Sequence, residues 1–310
     1  MLHRLLPILL VCLLPLSSWA QDDLLDMLEE ETEEPINYTI ATFKGTRLIN
    51  GHSVENPAPG VLQFMIGHRF GRVNGGAYEF FGLDNATIRL GFDYGVNDRL
   101  AVGIGRSSFE KTYDAFAKYK VIRQQTGKRN IPFSLSAVAG MAINTMQWPE
   151  PERPNYFSSR LFYTFQALLA SKITPGLSVQ LTPTLIHRNL VATAADANDV
   201  FALGVGGRQK LTGSLTLNAE WFYILPNQIV SPLYGEQVRN TFSIGFDIET
   251  GGHVFQLHFT NSRGMAEKFF VTETTGNWLD GDIHFGFNIS RVFTIADKHN
   301  KPKGEQKSWE

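Results

Sequence analysis

The chain between residues 60 and 295 repeats one pattern, in which apolar and polar side chains alternate over runs of roughly ten residues separated by turns or loops. Side chains of a strand point to opposite faces with a period of two, so each run predicts a strand with one apolar and one polar face. In the clearest run the two faces are Ala86, Ile88, Leu90, Phe92, Tyr94 and Thr87, Arg89, Gly91, Asp93. This pattern is typical of an all-β fold, an up-and-down antiparallel transmembrane β-barrel.

The pattern predicts twelve strands joined alternately by short turns and long loops. The predicted strands are near residues 61–70, 85–95, 99–108, 112–124, 131–145, 157–172, 176–188, 199–210, 214–225, 239–249, 253–262 and 281–294. An even number of strands agrees with the rule for single-chain bacterial barrels. Short turns of such barrels face the periplasm and long loops face outward, so both chain ends are predicted to be periplasmic.

Alternation alone does not say whether the apolar face meets lipid or forms the interior of a soluble sandwich. Two bands of aromatic residues near the strand ends favour lipid, because membrane interfaces select aromatic side chains. The bands are Phe70, Trp221, Tyr223, Phe242, Phe259 toward the loops and Tyr94, Tyr119, Phe255, Phe293 toward the turns. The nearly strict alternation of long and short connections also differs from the crossovers of a Greek-key sandwich.

The polar face then lines the lumen. The residues predicted to face the lumen are Arg69, Arg89, Asp93, Arg106, Lys118, Lys120, Arg160, Arg208, Glu220, Asp247, Glu249 and His258. Charges of both signs fit a water-filled or ion-paired interior. Glycines in the runs 103–105 and 204–207 are predicted to be small inward positions that let strands bend or an inserted segment pack closely.

Residues 1–20 have the features of a secretory signal peptide cleaved before Gln21, with a basic start, an apolar stretch and the small-residue exit Ser18-Trp19-Ala20. Export of a barrel predicts the outer membrane of a Gram-negative bacterium, with outer-membrane lipid and the barrel-assembly machinery as partners. The single cysteine, Cys12, lies inside this peptide. A mature chain would therefore contain neither disulfides nor cysteine-bound metals.

Three further segments flank the predicted barrel of residues 60–295. Residues 21–35 form an acidic periplasmic segment, interpreted as a solvated tail or as a docking site for a periplasmic partner. Residues 36–59 contain a strand-like stretch that we place in the lumen or at the periplasmic rim. An extra wall strand is the alternative, and whether this segment plugs the lumen stays open. Residues 296–310 are a polar periplasmic tail that follows Phe293, although assembly signals usually end on the last aromatic residue.

The composition and the positions of the histidines limit which ligands and reactions the sequence supports. A net charge of -2 argues against nucleic acid, which needs a basic surface. His258 and Thr260 resemble the histidine and serine of outer-membrane phospholipases, but both share the polar face and would point away from lipid. We therefore predict no enzyme, no catalytic residue and no cofactor. A two-histidine metal site of His258 and His284 is an alternative to a prediction of no metal.

Several short motifs resemble a family of uncharacterised outer-membrane β-barrel proteins of Bacteroidetes-type Gram-negative bacteria. The motifs occupy residues 50–56, 67–71, 81–84, 105–108, 118–120, 260–264 and 286–293. The resemblance implies a membrane barrel and has no established activity to transfer.

Three functions remain open from the sequence. The first is a porin-like passive pore for small hydrophilic solutes. The second is a non-transporting barrel that anchors or docks a partner through residues 22–34 or the loop 263–280. A membrane-lipid hydrolase with His258 is the third.

Overall fold

The computed structural model describes residues 35–250 and 253–296. It is a closed barrel of twelve antiparallel strands. The strands are β1 (Val61–Arg72), β2 (Ala86–Gly95), β3 (Leu100–Ser107), β4 (Tyr113–Ile122), β5 (Ser134–Ile143), β6 (Leu161–Lys172), β7 (Leu177–Arg188), β8 (Asp199–Lys210), β9 (Leu215–Ile224), β10 (Thr241–Thr250), β11 (His253–Thr260) and β12 (His284–Thr294). Each pairs with its neighbour in sequence, and β12 pairs with β1 to close the wall. The fold predicted from the sequence is confirmed.

The predicted signal peptide, nearly all of the acidic segment and nearly all of the C-terminal tail lie outside the described residues. Within the described ranges, no helix is long and apolar enough to cross a membrane.

Burial along the strands follows the predicted period of two. On β2, Thr87, Arg89 and Asp93 are buried while Ile88 and Phe92 are exposed. Aromatic side chains lie on the outer face near both ends, with Trp221 and Phe259 toward the loops and Tyr119, Phe255 and Phe293 toward the turns. The exposed face is therefore apolar, as contact with lipid requires.

Residues 41–56, here called the lumenal segment, run inside the barrel and add no strand to the wall of the described chain. The segment enters from the turn end, where Asn37–Tyr38 pair with Gln125–Thr126. It reverses at residues 48–51, where the amide of Leu48 donates to the carbonyl of Gly51 at 2.9 Å. An isolated bridge between Arg47 and His52 closes this hairpin. The extra wall strand considered from the sequence is not observed.

Residues 261–283, here called the inserted loop, enter the lumen from the loop end, and their last part, around Leu279, is exposed at the rim. They include the short helix α1 (Glu267–Thr272), and their buried side chains include Met265, Lys268, Phe269, Phe270 and Val271. The expectation that the long loop 263–280 faces outward is therefore wrong for its buried part, and its role in docking a partner stays a prediction. The physical reason is the apolar stretch at residues 269–271, which removes more apolar surface from water inside the barrel than outside it.

Candidate functional site: the filled lumen

The lumenal segment and the inserted loop meet in the middle of the barrel. Nη1 of Arg47 donates to Oε1 of Glu267 at 2.8 Å, and Nε2 of His52 lies 3.3 Å from the same oxygen. The same guanidinium nitrogen also donates to the carbonyl of Asn50 at 2.9 Å. One ion pair thus joins an element that enters from the turn end to an element that enters from the loop end.

Glu220 on β9 binds the tip of the lumenal segment through its backbone. Its carboxylate accepts the amide of Asn50 at 2.7 Å, that of Gly51 at 3.1 Å and that of Ile49 at 3.3 Å. Glu220 is buried, so these three amides replace the water that a buried carboxylate loses. The side chain of Asn50 is also held, because Nδ2 donates to Ser243 at 2.8 Å and Oδ1 accepts from Arg69 at 2.6 Å.

Lys118 on β4 binds backbone carbonyls of the same segment. Its ammonium is completely buried and donates to the carbonyls of Ser53 at 3.0 Å, Thr46 at 3.4 Å and Glu55. Three acceptors satisfy all three donors of a lysine. A buried cation is in this way compensated by peptide dipoles of the lumenal segment.

Amide side chains on other strands bind further backbone groups of the segment. Gln180 on β7 accepts the amide of Val54 at 3.1 Å and donates to the carbonyl of His52 at 2.7 Å. Gln256 on β11 donates to the carbonyl of Leu48, and Asn288 on β12 donates to that of Ile49 at 3.0 Å. Arg208 on β8 donates to the carbonyls of residues 41 and 42 at 3.2 and 3.3 Å. The wall therefore recognises mainly the peptide backbone.

The segment also presents charged side chains to the wall near the turn end. Lys44 pairs with Glu249 on β10, and Glu55 lies 3.8 Å from Lys120 on β4. Asp93 on β2 accepts the hydroxyl of Thr46 at 3.2 Å. Asp247 accepts from Nε2 of Gln256 at 2.7 Å and so positions that amide.

Two inward arginines also bind side chains of the wall. Nε and Nη2 of Arg89 donate to the two carboxylate oxygens of Asp114 across β3, the first at 2.9 Å. The inward glycine between them on β3, Gly105, leaves room, because a Cβ there would lie 2.3 Å from Nη2 of Arg89. Arg69 on β1 donates from Nε to Nε2 of His258 at 2.8 Å.

Apolar side chains of the segment pack on one side of the lumen. Phe43, Leu48 and Val54 form a buried cluster with wall residues Phe116, Val138, Leu168 and Ala170. Gly206 on β8 lies against Leu48, since a Cβ there would lie 2.2 Å from Cδ2 of Leu48. The prediction that inward glycines allow an inserted segment to pack closely is confirmed at this position.

We expect Gly206→Leu to weaken binding of the lumenal segment, because the new side chain would occupy the space of Leu48. The measurement is the rate at which a water-soluble maleimide labels Ser53→Cys, which is buried, in a Cys12→Ala background. Labelling should rise in Gly206→Leu and fall again when Leu48→Ala is added. Gly207→Leu is the matched control, because a Cβ at this neighbouring glycine would meet only the carbonyl of Ser178, at 3.5 Å. Equal labelling of both leucine variants would contradict the expectation.

Two of the twelve residues predicted to face the lumen lie elsewhere. Arg106 is on the outer face of β3 with Val102 and Ile104, and its guanidinium lies 5.5 Å from the ring centre of Tyr113. The inward positions of that strand are Ala101, Gly103, Gly105 and Ser107. Arg160 lies at the loop rim, where Nη1 donates to the carbonyl of Asn144 at 2.9 Å. A long charged side chain near a strand end can reach the membrane interface from the outer face. The charge of Arg106 was therefore not sufficient to place it in the lumen.

The other ten predicted lumen residues carry side chains that face the interior. They are Arg69, Arg89, Asp93, Lys118, Lys120, Arg208, Glu220, Asp247, Glu249 and His258. Sequence reasoning missed Asp114 and the amides Gln180 and Asn288. The alternation of inward and outward positions along each strand could have placed these side chains in the lumen. It does not predict which groups they bind there.

A cavity of about 830 Å³ lies at the loop end, and its lining includes the charged residues Arg72, Glu110, Glu236, Arg263 and Glu273. Lys268 of α1 donates to Glu110 at 2.7 Å and lies 3.0 Å from Glu273. Burial, with a contribution from Glu110, raises the pKa of Glu273 against the opposing effect of Lys268. A hydrogen bond from Arg72 lowers the pKa of Glu236 to about 2. The ion pair between Lys268 and Glu110 ties the inserted loop to the connection between β3 and β4.

The residues considered for catalysis and metal binding have structural partners. His258 and Thr260 are both completely buried inside the barrel, and Thr260 bonds the hydroxyl of Ser243 at 2.8 Å. His258 accepts from Arg69, as a hydrogen-bonded lumen histidine should. Nδ1 of His284 lies 2.8 Å from the carbonyl of Phe70. Over residues 35–250 and 253–296, no group of three or more His, Cys, Asp or Glu side chains could hold a metal ion.

An apolar outer face, a closed wall and a charged lumen occupied by the protein's own chain define a membrane β-barrel with a filled lumen. The chain belongs to the family described as "Membrane bound beta barrel domain (DUF5777)", whose match covers residues 43–293. The match thus includes most of the lumenal segment as well as the wall. The family predicted by resemblance, an uncharacterised membrane barrel family, is confirmed.

Solved structures of similar fold include two porins and a channel. The NanC porin is 8% identical with a TM-score of 0.47, and the match covers 76% of this chain and 100% of that chain. The KdgM porin is 9% identical with a TM-score of 0.43, covering 76% and 99%. An outer-membrane channel from Pseudomonas putida F1 is 14% identical with a TM-score of 0.43, covering 77% and 97%. Comparison with curated protein sequences gave no match.

Proposed function

We propose that this protein is an outer-membrane pore for small hydrophilic solutes that rests in a closed state. In the proposal the lumenal segment and the inserted loop occlude the passage, and solutes pass when both elements are displaced. The observation that carries the proposal is the chemistry of the wall around the segment. Most wall groups that hold the segment are polar, and they bind its backbone rather than particular side chains.

Departure of the segment would leave a wall that water can solvate. Glu220, Lys118, Gln180, Gln256, Asn288 and Arg208 would exchange peptide groups for water, and a typical net hydrogen bond is worth only about 0.5–1.5 kcal/mol. The apolar cluster of Phe43, Leu48 and Val54 opposes release and keeps the closed state populated. A barrel of twelve strands lies in size between eight-strand barrels filled by side chains and open porins.

A non-transporting barrel is the second candidate, and the filled lumen favours it. In that case the segment and the loop would serve as a permanent core, and the barrel would anchor a partner. We propose no enzymatic activity, since His258 and Thr260 have structural partners inside the lumen.

Single-channel recording in planar bilayers tests the pore. Three proteins are compared: the full chain, a deletion of residues 41–56, and that deletion combined with a short Gly-Ser linker in place of residues 262–282. The linker can close the gap because Thr260 and His284 are paired neighbours on adjacent strands. We expect rare openings of the full chain and sustained discrete steps of the doubly deleted barrel.

Heat-dependent gel mobility provides the control for folding of each barrel. A doubly deleted barrel that is folded but electrically silent would overturn the pore and favour the anchoring barrel. Full-chain openings as frequent as those of the doubly deleted barrel would contradict the closed resting state.

A further inference from the structure

We propose that the solutes of this pore are short zwitterionic peptides, an inference that rests on the proposed function. The lumenal segment occupies the wall as a peptide ligand would, and its contacts show which chemistry the wall binds. Two independent features of the wall favour such peptides, the groups that bind a peptide backbone and the arrangement of charge across the lumen.

The wall offers both donors and acceptors for a peptide main chain. Glu220 accepts three consecutive amides, and Lys118 donates to three carbonyls. Gln180 binds one amide and one carbonyl of the segment at the same time. These contacts do not depend on the side chains of the bound residues, so a different peptide could make them.

Opposite charges face each other across the lumen near the turn end. Lys118 and Lys120 lie on β4, whereas Asp247 and Glu249 lie on β10, six strands away in a wall of twelve. Strands six apart are diametrically opposite. Glu220 on the neighbouring strand β9 adds to the acidic side.

A second pair of opposite charges also lies on diametrically opposite strands. Arg208 on β8 and Asp93 on β2 are also six strands apart. This pair lies along a different diameter and carries one charge on each side, whereas the first set carries two charges on each side.

Two charged side chains of the lumenal segment match these two sides of the wall, whereas its third, Arg47, pairs with Glu267 of the inserted loop. Its ammonium group, Lys44, pairs with Glu249 on the acidic side, and its carboxylate, Glu55, lies 3.8 Å from Lys120 on the basic side. A short peptide with a free amino terminus and a free carboxyl terminus presents the same two charges. It would replace both ion pairs and several backbone contacts when the segment leaves.

The test uses the doubly deleted barrel in liposomes and measures the uptake of solutes of similar size. Trialanine is compared with N-acetyl-trialanine amide, which keeps the backbone and lacks both charges, and with a neutral disaccharide. We expect trialanine to enter roughly threefold to tenfold faster than either, as loss of about one to two hydrogen-bonded contacts predicts. Lys120→Gln combined with Glu249→Gln should abolish the preference for trialanine over its uncharged analogue, and Arg106→Gln on the outer face should leave it intact.

The outcomes separate this inference from the pore itself. Equal entry of all three solutes would overturn the peptide specificity and leave the pore standing. If trialanine still entered faster than its uncharged analogue in the Lys120→Gln and Glu249→Gln variant, the inference would also be overturned, because these two charged groups would not be responsible. A folded barrel that admits no solute would remove the pore.

Discussion

Substitution Glu220→Gln is expected to release the lumenal segment far more often than in the parent protein. The carboxylate accepts the amides of Ile49, Asn50 and Gly51, and a glutamine side chain has one neutral acceptor and a donor group that the amides cannot use. Hydrogen bonds to a charged group contribute about 1.5–3 kcal/mol, so the released population should rise roughly tenfold to hundredfold. The labelling rate of Ser53→Cys in the Cys12→Ala background measures this population.

Arg106→Gln is the matched control for this expectation. It also replaces a charged side chain by glutamine, but it lies on the outer face and does not contact the segment. Its labelling rate should equal that of the parent. Unchanged labelling in Glu220→Gln would mean that the tip contacts do not hold the segment.

Substitution Asp114→Ala is expected to destabilise the barrel by about 3–5 kcal/mol, because it leaves the buried guanidinium of Arg89 without its principal partner. Both side chains of the pair are nearly inaccessible, at 4% and 5% exposed. The midpoint of urea unfolding, followed by heat-dependent gel mobility in detergent micelles, measures the change.

The double variant Arg89→Met and Asp114→Leu separates charge from packing. Replacing a buried ion pair by apolar side chains of similar volume is often nearly neutral, so this variant should be clearly more stable than Asp114→Ala. If both variants lost the same amount of stability, the cause would be lost packing against Gly91 and Gly105 rather than an unpaired charge.

The strands of the barrel wall could be predicted from local sequence patterns. The alternation on β2, with Arg89 and Asp93 inward and Ile88 and Phe92 outward, follows from the period of two that any strand imposes. The same rule places Arg106 on the outer face beside Val102 and Ile104. It was predicted to face the lumen because it is charged, although its position in the alternation indicates the outer face. The twelve strands and their order therefore required no knowledge of distant contacts.

The contents of the lumen required the tertiary structure. Glu220 meets Asn50 across 170 residues of sequence, and Arg47 meets Glu267 across 220. A polar inward face has the same composition whether it binds water or peptide, because both supply the same donors and acceptors.

A closed, lipid-facing barrel with a charged interior could be predicted from the amino-acid sequence, since side-chain alternation and turn spacing are local properties of the chain. That residues 41–56 and the buried part of the inserted loop occupy this interior became clear only from the folded chain. The reason is that their burial depends on shape and hydrogen-bond complementarity between segments far apart in sequence, which no local pattern records.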